Sequence, residues 1–247
     1  MAQLSFIVPA RKANHFSVFL WSLHHQTYKD FEVLCYLNGL DHELEVLEDV
    51  VGFWKKYLEL KVVGIELRRG VSHVSRWRNL LFNESSADLI VVACDDMVYC
   101  PKAAELFVQD YNMYRYNNLV AISVSRYGRD GFNGPHTVHP VSHNVTLDDI
   151  LRPTGGGGAV TRWAWEKAGG FDEGYKGYGY EDDDFWLKLR MLHGCVVVDT
   201  RISYFHIYHS SREIDEPYEY KAFLANQRRY MERWKSKPYE LKIIKLE

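Results

Sequence analysis

Short apolar runs alternate with amphipathic segments along the first half of the chain. Five apolar runs have the length of strands: residues 4–8 (ended by Pro9), 31–37, 61–67, 88–94 and 119–125. Four segments between them carry apolar residues at helical spacing: residues 16–26, 43–57, 72–82 (with Ser72 as N-cap) and 101–114. The run at 88–94 is apolar on both faces, as in a central parallel strand. This alternation predicts an α/β domain with a mostly parallel sheet flanked by helices and with ligands at the carboxyl ends of the strands.

The second half of the chain has a less regular pattern. Residues 126–154 are rich in Gly, His, Pro and Asn and show little periodicity, which is typical of a binding loop or lid. Three helices and two strands are predicted after it: helices at 161–168, 181–192 and 217–234, and strands at 195–198 and 202–207. The sequence contains no internal repeat, low-complexity tract or linker, so one domain over residues 1–247 is expected.

Composition narrows the function classes. The chain has 30 Lys and Arg against 33 Asp and Glu, and this near balance argues against general binding to nucleic-acid phosphates or an anionic membrane. The sequence has no basic leader before an apolar run, and no stretch approaches the roughly 18 apolar residues of a membrane span. Its four cysteines stand singly, with no Cys-x-x-Cys pair, and are expected to be reduced. We therefore expect a cytoplasmic protein.

Two adjacent carboxylates, Asp95 and Asp96, follow the predicted central strand. They would repel each other in a buried position unless a cation or hydrogen-bond donors compensate them. A hard divalent metal can do so, and such a metal is usually completed by ligand phosphates and water. A solvated turn after the strand is the alternative that this pair alone leaves open.

A run of four carboxylates, residues 181–184, follows a glycine-containing segment and begins a predicted helix. Acidic residues in a first helical turn complement the helix dipole, but four in a row exceed what capping requires. One of these carboxylates could accept a proton from an attacking hydroxyl. The glycines beside the run indicate a site that must accommodate a ligand.

Two other features are weaker signals. His206 and His209 offer neutral imidazoles for a metal such as Mn²⁺, although a histidine on an apolar strand is usually a packed core residue. The glycine run at residues 155–158 lets the backbone approach a ligand closely. Its spacing matches neither a dinucleotide-binding G-x-G-x-x-G motif nor a P-loop.

The order of these segments resembles that of the GT-A glycosyltransferases, particularly the inverting family 2 type, over nearly the whole chain. Residues 22–33 are similar to the S-L-x-x-Q-T-Y-x-x-F-E-V signature of that family, and residues 70–79 to its G-x-S-x-A-R-N segment. Asp95 and Asp96 fall at its D-x-D metal motif, and residues 169–173 match its G-G-F-D-E stretch. Residues 177–184 resemble the W-G-G-E-D-D-D acceptor motif of the β-1,4-galactosyltransferases and the corresponding motif of chondroitin polymerase.

The resemblance implies a single GT-A, Rossmann-like domain that moves a sugar from a nucleotide-sugar donor to an acceptor hydroxyl with inversion. The acceptor would be a glycan or another hydroxyl compound, and nucleic acid would serve only as a modified-base acceptor. Residues 1–100 would form the nucleotide-sugar half and residues 101–247 the acceptor half. Donor contacts are expected at six positions: Pro9, Arg11, Asn38, Arg78, Asp95 and Gly157.

The resemblance also implies roles for the acidic and histidine residues. Asp96 and His206 would hold Mn²⁺ or Mg²⁺, with His209 as the alternative to His206. Asp182 would deprotonate the acceptor hydroxyl, and the neighbouring carboxylates would hold further acceptor hydroxyls: Glu181 and Asp183.

Two positions depart from the family pattern. Leu37-Asn38 stands where an Asp-Asp pair commonly contacts the nucleoside, so uridine is not assigned as the nucleoside, and Cys94 takes the place of the first Asp of D-x-D. Two other classes stay open. A sugar-phosphate nucleotidyltransferase would carry a glycine-rich signature after the first strand, which residues 9–13 lack. A non-catalytic carbohydrate- or nucleotide-binding module would be favoured if the carboxylates were replaced, and they are present.

Overall fold

A computed structural model of the protein describes residues 3–127, 157–177, 179–192, 194–207, 217–234 and 242–246. Within these ranges nine strands form one sheet: β1 Leu4–Ala10, β2 Phe31–Gly39, β3 Leu60–Leu67, β4 Leu89–Val92, β5 Met97–Tyr99, β6 Leu119–Tyr127, β7 Ala159–Thr161, β8 Cys195–His206 and β9 Lys242–Leu246. The α-helices are α1 Ala13–His24, α2 Asp41–Trp54, α3 Val74–Glu84, α4 Ala103–Tyr114, α5 Arg162–Ala168, α6 Glu181–Arg190 and α7 Pro217–Trp234. The predicted lid at residues 126–154 lies outside the described residues, apart from Arg126 and Tyr127 at the end of β6.

The sheet is mostly parallel, as predicted. Its strand order is β3-β2-β1-β4-β7-β6-β8-β5, and β9 pairs with β8 beside that path. Strands β7 and β5 run antiparallel to their neighbours, whereas β1, β2, β3 and β4 pair in parallel, as do β6, β8 and β9. The carboxyl ends of β1, β2, β4 and β8 therefore lie at the same edge of the sheet, where ligands bind in open α/β folds.

Helices cover both faces of the sheet because successive side chains of each strand point to opposite sides. Phe6 and Val8 of β1 pack in the layer that α1, α2 and α4 cover, and Ile7 packs in the layer of α3, α5 and α6. All of these side chains are fully buried. None of the four cysteines, all of which are described, is in a disulfide. None of the described helices has the length and apolar character needed to cross a membrane.

Strand β8 corrects the prediction of two separate strands, because it is one strand with a bulge. Its register with β6 shifts between the pairs Val124–Asp199 and Ser125–Ser203, so residues 200–202 form the bulge. The buried Asp199 carboxylate holds the bulge by accepting hydrogen bonds from the Arg201 amide (2.8 Å) and guanidinium (2.7–3.1 Å). The polar bulge interrupted the hydrophobic pattern without ending the strand.

Two predicted boundaries were wrong for identifiable reasons. Strand β1 continues through Pro9 to Ala10, because its pairing with β4 ends at Ile7 and the missing amide of Pro9 breaks no ladder on that side. Helix α3 begins at Val74 with His73 at the N-cap, whereas Ser72 uses its carbonyl to accept the amide of Gly177 (2.8 Å). Ser72 thus contacts the loop before α6 instead of capping α3.

Candidate functional site

The turn after β4 is tied to the end of β1 through Asp95. One oxygen of this carboxylate accepts the backbone amides of Arg11 (2.7 Å) and Lys12 (2.9 Å). Burial raises the pKa of Asp95 to about 6, and Asp96 acts in the same direction, while the two amides oppose the shift. Asp95 therefore fixes the backbone where donor contacts were predicted, and its direct partners are main-chain amides.

Asp96 and His206 face each other across the β5–β8 pair. His206 lies opposite Met97 in the antiparallel register, and its Nε2 is 3.2 Å from Asp96 Oδ2. The amide of Ile207 donates to the Asp96 carbonyl at 2.7 Å, which holds the two strand ends together. Asp96 is 7% exposed, so its carboxylate is mostly removed from water.

Asp96 and His206 are suited to be two of the ligands of a divalent cation. A carboxylate oxygen with an imidazole suits Mn²⁺, and ligand phosphates and waters usually complete such a site. Within the part of the chain that the structure describes, no cluster of three or more His, Cys, Asp and Glu side chains could hold a metal. His209, the alternative ligand, lies outside the described residues.

Arg78 of α3 lies at the centre of the second group of predicted residues. Its side chain is 2% exposed, and its guanidinium donates to Asp182 Oδ1 and lies 3.7 Å from Glu181 Oε1. The other terminal nitrogen is 3.6 Å from Cys94 Sγ. Burial alone would lower the pKa of Arg78, but Asp182, Cys94 and Glu181 raise it above its ordinary value. Arg78 therefore stays charged and links the start of α6 to the end of β4.

Glu181 is more buried than Asp182, the next residue of the acidic run. Burial and the charge of Asp182 raise the pKa of Glu181 to about 7, although Arg78 opposes the shift. Its Oε2 is buried and accepts no hydrogen bond from the described residues. The Asp182 side chain is 20% exposed, so it can be reached from the solvent. Asp183 is partly exposed in the same helical turn.

The fourth carboxylate of the run has a structural role. Asp184 is fully buried and accepts hydrogen bonds from Trp234 Nε1 (2.8 Å) and Tyr175 Oη (3.2 Å). Arg233 Nη1 lies 3.3 Å from the same Asp184 oxygen. Asp184 thus joins α6 to the end of α7. This structural role accounts for one of the four carboxylates in the run at residues 181–184.

Three further predicted positions lie at the same edge of the sheet. Gly157 has φ +88°, and its amide donates to the Val92 carbonyl at the end of β4 (2.5 Å), while its carbonyl accepts the Tyr99 hydroxyl (3.0 Å). Asn38, near the end of β2, donates to the Glu66 carbonyl at 3.0 Å, and its buried Oδ1 has no hydrogen-bond partner among the described residues. Pro9 is buried in β1. The described contacts do not join Pro9 or Asn38 directly to the acidic side chains.

The predicted residues therefore meet in two groups that share Cys94. Asp95 and Asp96 directly follow Cys94 after β4, whereas Arg78 joins Cys94 to Asp182 at the start of α6. Burial raises the pKa of the Cys94 thiol, Arg78 lowers it, and the charges of Asp96, Asp182 and Asp95 raise it further, as expected for carboxylates near this thiol. Nothing in the sequence singled out Cys94, beyond its place at the first position of the D-x-D-like segment.

Comparisons with known proteins agree with this architecture. A family model described as the N-terminal domain of galactosyltransferase matches residues 149–210, which is less than half of the chain. Residues 1–349 of TarS from S. aureus, in a structure with UDP-GlcNAc, superpose with a TM-score of 0.66 and 17% identity over 90% of this chain. This chain covers 64% of that TarS segment and, in a second comparison, 43% of the longer TarS chain.

A second similar structure is a mannosyltransferase, PcManGT from Pyrobaculum calidifontis, in complex with GDP-Man and Mn²⁺. It has a TM-score of 0.65 and 15% identity, covering 96% of this chain and 66% of that one. No curated protein sequence matches. The likeness of this chain to GT-A glycosyltransferases is confirmed at the level of the fold.

Proposed function

We propose that the protein is a metal-dependent inverting glycosyltransferase that moves a sugar from a nucleotide-sugar donor to an acceptor hydroxyl. The observation that carries the proposal is the link from Asp182 through Arg78 to Cys94, the residue before Asp95 and Asp96. Asp96 in turn faces His206 at 3.2 Å. A proton acceptor and a candidate pair of cation ligands therefore lie at the carboxyl end of β4. The fold and the partial match to a galactosyltransferase domain support the same reaction class.

Each of the site residues would have a separate role in the transfer. Asp182 takes the proton as the acceptor oxygen forms its bond to the anomeric carbon, while the bond from that carbon to the diphosphate oxygen breaks on the opposite face. Arg78 keeps the Asp182 carboxylate in place, and Glu181 and Asp183 hold acceptor hydroxyls. Asp96 and His206 would hold Mn²⁺ or Mg²⁺, which supplies Lewis-acid neutralisation of the departing diphosphate.

The donor half would consist of the edge formed by β1, β2 and β4. We assign a nucleotide sugar as donor because similar structures contain UDP-GlcNAc and GDP-Man. The carboxamide of Asn38 can both donate and accept hydrogen bonds, unlike a carboxylate at that position. The nucleobase is therefore left open, and the acceptor is assigned only as a glycan or another compound with a free hydroxyl.

A hydrolysis screen tests the proposal without knowledge of the acceptor. The full chain is incubated with Mn²⁺ and a panel of nucleotide sugars that includes UDP-GlcNAc and GDP-Man, and release of nucleoside diphosphate is measured. We expect slow release from one donor that stops in EDTA. A chain that binds a nucleotide sugar tightly but neither hydrolyses it nor transfers its sugar to any glycan acceptor would be a binding module instead.

The metal pair gives a separate prediction. Asp96→Ala and His206→Ala are each expected to weaken nucleoside diphosphate binding in Mn²⁺ by about 10-fold or more, since even outer-shell changes cost that much in metal affinity. In EDTA the variants and the wild type should bind equally. Calorimetry of both series measures this difference.

Asp88→Ala is the matched control, because Asp88 is exposed just before β4, at the opposite edge of the sheet. It should bind as the wild type does in both conditions. Equal affinity of the wild type with and without Mn²⁺ would contradict a bridging metal.

A further inference from the structure

The segment before the acidic run has an unusual backbone. Gly177 has φ +72°, Gly179 has φ +98° and Tyr180 has φ +70°. Tyr180 is one of only two non-glycine residues with positive φ in the described part of the chain. Side chains make this conformation unfavourable, so it persists only where the surroundings hold it. Helix α6 begins at Glu181, directly after Tyr180, so the backbone conformation here sets the orientation of Glu181 and Asp182.

Asn226 of α7 stabilises this backbone conformation through hydrogen bonds. Its Nδ2 donates to the carbonyls of Lys176 (2.9 Å) and Gly179 (3.0 Å), and its Oδ1 accepts the Lys176 amide (3.3 Å). The residue is 3% exposed, so these bonds are protected from competing water. One carboxamide on α7 thus bonds to the backbone of both Lys176 and Gly179, about 50 residues earlier in the chain.

The face of α7 around Asn226 contacts the same loop. Gln227 Nε2 donates to the Tyr180 hydroxyl at 2.9 Å, and the Tyr180 ring packs 5.4 Å from the Phe223 ring and 5.2 Å from the Tyr230 ring. A Cβ on Gly179 would lie 2.8 Å from the Phe223 ring, so the loop backbone rests directly on this helix. The spacing of the four α7 residues places them on one face.

Helix α7 is itself anchored to the elements around the site. Arg229 makes three hydrogen bonds to Asp172, which Arg233 also contacts at 2.9 Å. Trp234 bonds to the buried Asp184 on the far side of the acidic run. The helix is therefore fixed at positions before and after Asp182, and can act as a rigid support for the loop between them.

We propose that Asn226 is a positioning residue for sugar transfer: it holds the backbone at Lys176 and Gly179, next to the positive-φ residue Tyr180, and so aims Asp182 at the acceptor hydroxyl. This inference rests on the proposed function. Asn226 contacts neither Arg78 nor the Asp96–His206 pair through any described hydrogen bond. Its loss should therefore affect the chemical step and leave donor binding intact.

Asn226→Asp tests this role with almost no change in size. The new carboxylate keeps an acceptor for the Lys176 amide but turns an oxygen toward the Lys176 and Gly179 carbonyls, where the donor was. A displacement of about 1 Å in a reacting group costs about 10²-fold in rate, so we expect kcat for hydrolysis of UDP-GlcNAc or GDP-Man to fall about 10- to 100-fold. The donor KM should stay within about twofold, and Tm should stay above the assay temperature.

Arg228→Ala is the matched control, since Arg228 is exposed on the same helix and bonds only to its own helical turn among the described contacts. It should keep the wild-type kcat. Gln227→Ala is a second test in case Asn226→Asp does not fold, because Gln227 is exposed; loss of its bond to Tyr180 should lower kcat about threefold.

The outcomes separate this inference from the proposed function. An inactive wild type contradicts the proposed function itself. An active wild type with unchanged kcat in folded Asn226→Asp, or in Gln227→Ala if Asn226→Asp does not fold, overturns the positioning role. A parallel loss of donor affinity and kcat also overturns it, because the residue would then support the whole domain instead of the base.

Discussion

Asp182→Asn is expected to lower the rate of sugar transfer, and of donor hydrolysis, by about 10²–10⁴-fold, the usual worth of general-base catalysis. The asparagine keeps the size of the side chain and an oxygen that can accept from Arg78. It cannot take a proton from a hydroxyl or a water at neutral pH. Donor affinity should stay nearly constant, because the described contacts of Asp182 run to Arg78 and not to the Asp96–His206 pair. Release of nucleoside diphosphate and calorimetry of donor binding measure the two effects.

Glu166→Gln serves as the control for this substitution, because Glu166 is an exposed carboxylate on α5 away from the site. Near-wild-type turnover in Asp182→Asn would contradict the assignment of the base. Glu181→Gln would then be the next variant, since the raised pKa of Glu181, about 7, also suits a proton-transfer group near neutral pH. A loss of donor affinity in Asp182→Asn would instead place Asp182 in the donor site.

The sequence predicted strands β1 to β4 because each is an apolar run and amphipathic helices lie between them. Strands β5, β7 and β9 were missed; β5 and β7 have three residues each, too few to show a period. Both are antiparallel strands that complete the sheet only through partners distant in the chain, β8 for one and β4 and β6 for the other. Short-range pattern carries no information about such pairing.

For the candidate site too, the sequence predicted some residues but not the contacts that the fold gives them. Asp95, Asp96 and the acidic run stood out locally because adjacent carboxylates need compensation. What compensates them was hidden: Asp95 receives two backbone amides from residues 83 and 84 positions earlier, and Asp182 receives a guanidinium 104 positions away. Asn226 gave no signal at all, because a single asparagine on a polar helix face is ordinary until the fold places a left-handed turn against it.

Arg78→Met is expected to destabilise the fold by about 3–5 kcal/mol, the usual cost of removing one partner of a buried ion pair. Methionine fills much of the space of the buried arginine stem, but Asp182 and Glu181 lose the guanidinium that compensates them. Urea unfolding of the wild type and the variant measures the difference. Donor hydrolysis should fall as well, because the Asp182 carboxylate loses the group that holds it.

The destabilisation should also depend on pH, with a sign that follows from Glu181. Its pKa of about 7 in the folded protein lies above the ordinary 4.5, so its contribution to stability is present at low pH and is lost as the pH rises toward and through 7. Without Arg78, which lowers this pKa, ionisation of Glu181 becomes more costly. The gap in unfolding free energy between wild type and Arg78→Met should therefore be larger at pH 8 than at pH 5. Arg76→Met, an exposed position on α3, removes the same charge and should show neither effect. A gap that is equal at both pH values would mean that Arg78 does not compensate Glu181.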